Sequence, residues 1–251
     1  MTRQPKAEKI ANAAGFVAAL DQSGGSTPKA LSLYGIEASD YSSDKEMFDL
    51  IHEMRARIIR SPAFNGERVL GAILFEDTME REIDGTATAT YLWETCGVTA
   101  FLKIDKGLND PEGGVRMLKP IQGLDKLLAR AVENGIFGTK MRSVIDAETQ
   151  PGIAAIVAQQ FEIGEAIRAH GLVPILEPEV TISIDDKAEA ENILLDQIVA
   201  HLDALPAGQE VMLKLTLPET PNLYKPLVQH PNVMRVVALS GGYSRDEANA
   251  R

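Results

Sequence analysis

Residues 137–176, FGTKMRSVIDAETQPGIAAIVAQQFEIGEAIRAHGLVPIL, contain the pattern that decides the fold. Two short apolar runs, 137–141 and 173–176, enclose a longer amphipathic stretch. Pro151 is favoured in the first turn of a helix and Gly171 just after its end, so the stretch predicts a helix from about Pro151 to His170. Short apolar runs without alternation are typical of parallel strands that are buried on both faces. The segment therefore predicts one strand–helix–strand unit.

The same alternation recurs along the whole chain. Ser43 and Glu46 form a capping box that opens another predicted helix, which we expect to stop at Ser61 before Pro62. Its apolar face consists of Met47, Ile51, Met54 and Ile58. Further apolar runs lie at residues 16–20, 69–75, 100–104, 211–215 and 233–239.

Strands that alternate with helices predict one α/β domain over residues 1–251 with a parallel sheet. The pattern alone leaves an open doubly wound sheet and a closed barrel equally available, although about 250 residues is a typical barrel length. Residues 107–123, which carry Gly, Pro and charges, do not fit the alternation. We predict a long loop there.

Composition limits the classes of partner. The formal net charge of −11 excludes a broad nucleic-acid surface, which needs clustered surplus Lys and Arg. No apolar run approaches the length of about 20 residues that spans a bilayer, so we expect no membrane partner. The single cysteine, Cys96, and the absence of a signal-peptide pattern predict a reducing, cytoplasmic location. The oligomeric state is left open, and a homo-oligomer is compatible with the sequence.

Polar residues at the ends of the predicted strands are the candidate site residues, because ligands of parallel α/β folds bind beyond the carboxyl ends of the strands. A single strand-end charge is more often a solvated or paired group. Several cations at one rim of an acidic protein instead suggest a phosphorylated substrate. The candidates are Asp21, Ser26, Lys103, Asp105, Lys140, Arg142, Glu177, Glu179, Lys214 and the turn Ser240-Gly241-Gly242.

Lys214 is the most informative of these residues. It lies inside the apolar run 211–215, so its amine loses solvation, and a neighbouring cation such as Lys140 would disfavour its protonated form further. An amine that is partly neutral at pH 7 can attack a ketone and form a Schiff base. A buried lysine paired to Glu177 or Glu179 is an equally good interpretation of this motif.

Two Gly-rich turns could bind phosphate. One is residues 23–27, where we predict Thr27 as the N-cap of a helix with Pro28 at its first position. The other is Ser240-Gly241-Gly242, which precedes a capping box at Ser244 and Glu247. Each alone is more often an ordinary turn. The four histidines have no metal-ligand spacing, so we expect no metal and no cofactor.

Six segments, in order along the chain, form a recognisable set: 18–26 (AALDQSGGS), 102–107 (LKIDKG), 138–142 (GTKMR), 174–179 (PILEPE), 212–214 (MLK) and 239–242 (LSGG). Together they resemble class I fructose-bisphosphate aldolase, most closely its shorter bacterial form. The resemblance implies a (β/α)8 barrel and metal-independent cleavage of fructose 1,6-bisphosphate, a phosphorylated sugar, to dihydroxyacetone phosphate and glyceraldehyde 3-phosphate.

The resemblance also implies roles for single residues. Lys214 matches the Schiff-base lysine, Glu177 the general acid and base, and Asp21 the carboxylate that assists C3–C4 cleavage. The remaining matches are Lys140 beside the nucleophile, Glu179 in support of that cluster, Ser240, Gly241 and Gly242 at the C1 phosphate, Ser26 and Lys103 at the C6 phosphate, and Asp105 and Arg142 within matched motifs.

One departure from the family pattern stands out. The family has an eighth strand with a phosphate-binding arginine and a C-terminal segment, whereas the sequence shows about seven βα units and stops at Arg251. We therefore expect a C-terminally incomplete barrel that belongs to a longer protein. The alternatives are a Schiff-base aldolase for another phosphorylated ketose and a non-catalytic sugar-phosphate-binding protein or inactive fragment.

Overall fold

The computed structural model describes residues 3–23 and 25–251. The chain divides into two compact units, Met1–Ile104 with Ala129–Phe137, and Asp105–Leu128 with Gly138–Arg251. That residues 1–251 form a single domain stays a prediction.

The first unit is organised around three parallel strands. These are β1 (Phe16–Leu20), β2 (Val69–Leu74) and β5 (Thr99–Lys103), and β2 pairs with both of the others. Every residue of β2 is buried, as expected for a strand with neighbours on both edges and side chains packed on both faces. A small antiparallel pair of strands lies between β2 and β5 in the sequence, and it consists of β3 (Glu82–Ile83) and β4 (Thr86–Ala87).

The helices of the first unit contribute buried apolar residues to its core. The Ser43 hydroxyl accepts the backbone N–H of Glu46, so the predicted start of the long helix is confirmed, and the helix ends at Ile59. Its buried face differs from the predicted one, because Arg55 is fully buried while Ile58 is half-buried. The helices are α1 (Arg3–Asn12), α2 (Thr27–Ser32), α3 (Asp44–Ile59), α4 (Glu76–Met79) and α5 (Thr88–Glu94).

The second unit contains four parallel strands that pair in chain order. They are β7 (Gly138–Ile145), β8 (Val173–Val180), β9 (Val211–Thr216) and β10 (Val233–Leu239). All the predicted strands are therefore present in the described part of the chain. Strands β7 and β8 continue past the apolar runs, so Arg142, Glu177 and Glu179 lie within strands rather than beyond their ends.

Long helices connect these strands. His170 caps the helix between β7 and β8 and Gly171 follows with φ +75°, as predicted. The helices are α6 (Leu124–Glu133), which contributes residues to both units, α7 (Gln150–Ala169), α8 (Lys187–Asp203), α9 (Lys225–Val228) and α10 (Arg245–Ala250). Across residues 3–23 and 25–251, no helix combines the length and apolarity that a bilayer span needs.

The long loop predicted at residues 107–123 is present, but it contains a hairpin that the prediction did not include. Gly113 and Gly114, both with positive φ, turn the chain so that Glu112 and Val115 exchange two backbone hydrogen bonds. Two successive positive φ angles are what a two-residue hairpin turn requires, and Gly-Gly provides them. The returning strand β6 (Val115–Arg116) pairs antiparallel with Val144 and Ile145 at the end of β7.

Replacement of glycine by alanine should have opposite effects on the stability of the protein at two positions. A Cβ on Gly71 in β2 would lie 2.7 Å from the Phe101 ring, so Gly71→Ala should destabilise the protein by about 1–3 kcal/mol. A Cβ on Gly164 within α7 would meet no atom closer than 3.4 Å, and Gly164→Ala should stabilise by about 0.5–1 kcal/mol. Urea denaturation measures both, and equal effects of the two substitutions would contradict this packing.

Candidate active site

The pairing register brings charged residues to one face of the second unit. Arg142 is paired with Glu177, and Val144 with Glu179, across β7 and β8. Since side chains two residues apart in a strand share a face, Lys140 and Arg142 stand beside Glu177 and Glu179. Lys214 follows by two residues the β9 position that pairs with Ile175, so it joins the same face.

Glu177 is the centre of this group. One carboxylate oxygen, Oε1, accepts from the Lys214 amine, and the other, Oε2, lies 3.2 Å from the Lys140 amine. Lys140 is also 3.8 Å from Oδ2 of Asp105. Glu177 is only 2% exposed and Lys140 4%, whereas 18% of the Lys214 side chain remains accessible. The structure thus places an accessible amine against a buried carboxylate that also faces a second, buried amine.

The backbone of Glu177 is fixed from the helix side. Gln160 of α7 accepts the Glu177 N–H at 2.8 Å and donates to the Ser143 hydroxyl at 2.7 Å. Gln160 is almost fully buried, so both ends of its amide are used where water cannot compete. Sequence reasoning missed this residue, because a lone glutamine within a helical pattern carries no signal of its contacts.

Arg142 and Glu179 form an adjacent ion pair, with 2.9 Å between Nε and Oε2. Burial raises the pKa of Glu179 and the Arg142 charge opposes that shift. Beyond them Asp146 binds Nε and Nη2 of Arg116 at 2.5 and 2.8 Å and accepts from the Thr181 hydroxyl at 2.7 Å. The Arg116 hydrogen bonds lower the pKa of Asp146, and the Thr181 hydroxyl adds to this shift.

The Ser240-Gly241-Gly242 turn follows β10 directly. Gly241 has φ +64°, and a Cβ there would lie 2.8 Å from Ile182 and 3.1 Å from Thr216, at the ends of β8 and β9. The turn therefore approaches the strand that carries Lys214 as closely as a bare backbone allows. The predicted capping box after it is confirmed, because Ser244 and Glu247 bond reciprocally.

The carboxyl end of β9 is also held by a buried ion pair, which the sequence did not indicate. Lys187 and Glu191, in successive turns of α8, bind each other while 3% and 0% exposed. Lys187 donates to the Leu217 carbonyl at 2.8 Å, and Glu191 accepts the Glu219 N–H at 2.9 Å. The pair thus holds the segment that follows the Lys214 strand. An i, i+4 pair in a sequence is usually a surface feature, so it gave no signal of burial.

Asp21, Ser26 and Lys103 belong to the first unit. Asp21 follows β1 immediately and Lys103 is the last residue of β5. The N-cap of α2 is Ser26 rather than the predicted Thr27, whose hydroxyl instead donates to the Ser23 carbonyl at 3.0 Å. Gly24, part of the same predicted phosphate turn, lies outside the described residues.

These contacts define a class of chemistry. An accessible lysine amine, a buried carboxylate touching it and further cations on the same face suit amine attack on the carbonyl of an anionic substrate. Within residues 3–23 and 25–251, no three His, Cys, Asp or Glu side chains come together as a metal site would require. The second unit therefore brings together an amine and a carboxylate of the kind that such a reaction requires.

Comparison with known proteins gives the family. Residues 4–234 match the family of glycolytic class I fructose-bisphosphate aldolases. The chain is 57% identical over 254 residues to the fructose-bisphosphate aldolase class 1 of Synechocystis sp. (strain ATCC 27184 / PCC 6803 / Kazusa), covering 100% of this chain and 85% of that protein. The chain belongs to the class I fructose-bisphosphate aldolases, which are lyases.

A solved structure shows the fold. The Plasmodium falciparum fructose-bisphosphate aldolase, crystallised with TRAP and a small-molecule inhibitor, is similar with a TM-score of 0.73 and 21% identity. The likeness covers 98% of this chain and 77% of that one. The predicted α/β fold of the barrel type is thus confirmed, and residues 3–23 and 25–251 supply seven of its parallel strands.

Because the pKa of Asp146 is lowered, its carboxylate should make the free energy of unfolding depend on pH in acid solution. Its carboxylate contributes stability above the unfolded pKa of about 3.9, and this contribution is lost as the pH falls through the lower folded value. Asp146→Asn should therefore destabilise by about 1–2 kcal/mol at pH 7 and by progressively less below about pH 4. Denaturation across pH measures this, with the exposed Asp125→Asn as control. A difference from wild type that is constant from pH 7 to pH 3 would contradict the assignment.

Proposed function

We propose that this chain cleaves fructose 1,6-bisphosphate reversibly to dihydroxyacetone phosphate and glyceraldehyde 3-phosphate through a Schiff base on Lys214. Membership of the family supports the reaction and its place in glycolysis and gluconeogenesis. The single observation that carries the residue assignment is the contact of the Lys214 amine with Glu177, whose second oxygen faces Lys140.

The first half of the reaction needs an acid and a base beside the nucleophile. The neutral Lys214 amine adds to the C2 ketone, and a proton moves from nitrogen to the carbinolamine oxygen. Glu177 is placed to take the proton that the Lys214 ammonium must lose before this attack, and then to give that proton to the carbinolamine hydroxyl, so that water leaves and a protonated imine remains. The neighbouring Lys140 ammonium stabilises the Glu177 carboxylate, because opposite charges attract strongly where water is excluded.

The second half breaks the C3–C4 bond. The protonated imine accepts the electron pair of that bond and becomes an enamine, while a carboxylate removes the C4 hydroxyl proton and glyceraldehyde 3-phosphate leaves. We assign this base to Asp21 on the family resemblance. Protonation of the enamine at C3 and hydrolysis of the imine then release dihydroxyacetone phosphate and restore Lys214. No external oxidant or reductant is consumed.

The phosphate contacts are also proposed. Close packing of Gly241 against the ends of β8 and β9 supports Ser240, Gly241 and Gly242 as the C1-phosphate turn. We assign Ser26 and Lys103 to the C6 phosphate, and place Glu179 and Arg142 as the ion pair that flanks the Glu177 cluster. We propose no cofactor and no metal for the reaction.

Location and assembly are separate proposals. The free thiol of Cys96, whose pKa is raised by burial, is supporting evidence for a reducing, cytoplasmic location. A homo-oligomer is compatible with the proposed reaction, and sedimentation equilibrium of the purified protein would report the state directly.

Borohydride trapping tests the proposed function. Reduction in the presence of dihydroxyacetone phosphate should add the triose irreversibly to Lys214, with or without a chelator, because a protonated imine is the species that borohydride reduces. Lys214→Met should abolish the adduct, and the exposed lysine variant Lys225→Met should retain it. Intact-mass analysis and peptide mapping measure both.

The other outcomes separate the alternatives. An adduct together with faster turnover of a ketose monophosphate than of the bisphosphate would indicate an aldolase for another phosphorylated ketose. An adduct on a lysine other than Lys214 would overturn the residue assignment. No adduct on any lysine of a folded protein would indicate a non-catalytic sugar-phosphate-binding protein.

A further inference from the structure

The first unit contains a buried cation that the proposed reaction does not use. Arg55 of α3 is 0% exposed and is among the largest fully buried side chains of the protein. Burial lowers the pKa of Arg55 to about 10, and the nearby carboxylates of Asp21 and Asp77 oppose that shift. Desolvating a guanidinium is costly, so a buried arginine is a poor device for stability alone.

The hydrogen bonds of Arg55 converge on the peptide that follows Asp21. Its Nη2 donates to the Gln22 carbonyl at 2.6 Å, with the Gln22 side-chain oxygen at 3.4 Å. Its Nη1 donates to the buried Thr78 hydroxyl of α4, also at 2.6 Å. Asp21 is thus held on both sides, by the β1–β2 pairing that ends at Leu20 and by the fixed Gln22 carbonyl.

The charge of Arg55 lies near two carboxylates, those of Asp21 and Asp77. Asp77, the other nearby carboxylate, is bound by Arg81, whose Nε lies 2.8 Å and Nη2 3.0 Å from its oxygens. Arg81 also binds Asp49 at 2.7 Å. Asp77 therefore has an arginine of its own besides the nearby Arg55.

We propose that Arg55 is a positioning residue for Asp21, because its hydrogen bond to the Gln22 carbonyl fixes the peptide that follows Asp21. The inference rests on the proposed function, in which Asp21 acts at the C3–C4 step. Arg55 acts through Asp21 rather than on the substrate. Lys214 and Glu177 belong to the other unit, and in the proposed function they carry the preceding imine step.

Because Arg55 and Lys214 are proposed to serve different steps, substitution of Arg55 should affect cleavage and borohydride trapping differently. Arg55→Met should lower kcat for cleavage of fructose 1,6-bisphosphate at least tenfold, with a change in KM below threefold. The rate of borohydride trapping on Lys214 with dihydroxyacetone phosphate should stay within twofold of wild type. Arg55→Lys, which keeps the charge without the planar fork, should recover part of the loss. Arg60→Met, which removes an arginine–carboxylate contact with Asp84 in the same unit, is the matched control and should leave kcat unchanged.

A double-mutant cycle with Asp21→Asn separates positioning from general damage to the fold. If Arg55 acts through Asp21, Arg55→Met should lower the residual activity of the Asp21→Asn protein less than twofold, because the group it positions is already gone. A purely structural role predicts instead that the two losses multiply and that trapping and cleavage fall in proportion.

Several results would overturn the proposal. They are wild-type kcat in Arg55→Met, a proportional loss of trapping and cleavage, or multiplicative losses in the cycle. If circular dichroism shows that Arg55→Met does not fold, the same cycle is run with Arg55→Lys, and a loss of kcat below twofold there overturns it. Absence of any Lys214 adduct in the wild-type protein would contradict the proposed function instead, so the two failures are distinguishable.

Discussion

The buried carboxylate of Glu177 lies between two lysine amines, and it constrains the register in which the strands of the second unit pair. A carboxylate that is 2% exposed is tolerated only with opposite charge and hydrogen bonds around it, which Lys214 and Lys140 supply, while Gln160 holds the Glu177 backbone by accepting its N–H. These partners come from β7, β9 and α7. A register slip of one residue in either strand would turn its lysine to the opposite face and leave the charge uncompensated.

The first unit uses the same physical device with the signs reversed. There the buried group is the Arg55 cation, and the nearby carboxylates are Asp77 and Asp21, the latter at the end of β1. In both units a charge is desolvated beside a residue at the carboxyl end of a parallel strand, where α/β folds bind ligands. In both units the buried charge thus lies next to a residue that we propose takes part in the reaction.

The fold and the nucleophile were largely predictable from sequence, because they depend on local patterns. Seven apolar runs identified the parallel strands, and Lys214 stood out as a charge inside one of them. The contacts of Arg55 with Gln22 and of Lys187 with Leu217 were not predictable, because each joins residues that lie far apart in sequence. The hairpin at Gly113 and Gly114 was missed although its turn signal was present, because the charged residues around it resembled a loop.

The rate at which a Glu177→Gln variant forms the borohydride-trapped adduct with dihydroxyacetone phosphate tests the central claim most directly. If Glu177 moves the protons of carbinolamine formation and dehydration, the adduct should still form on Lys214 but about 10²–10⁴-fold more slowly. The exposed variant Glu189→Gln should trap at the wild-type rate. Trapping of Glu177→Gln at the wild-type rate would contradict the account.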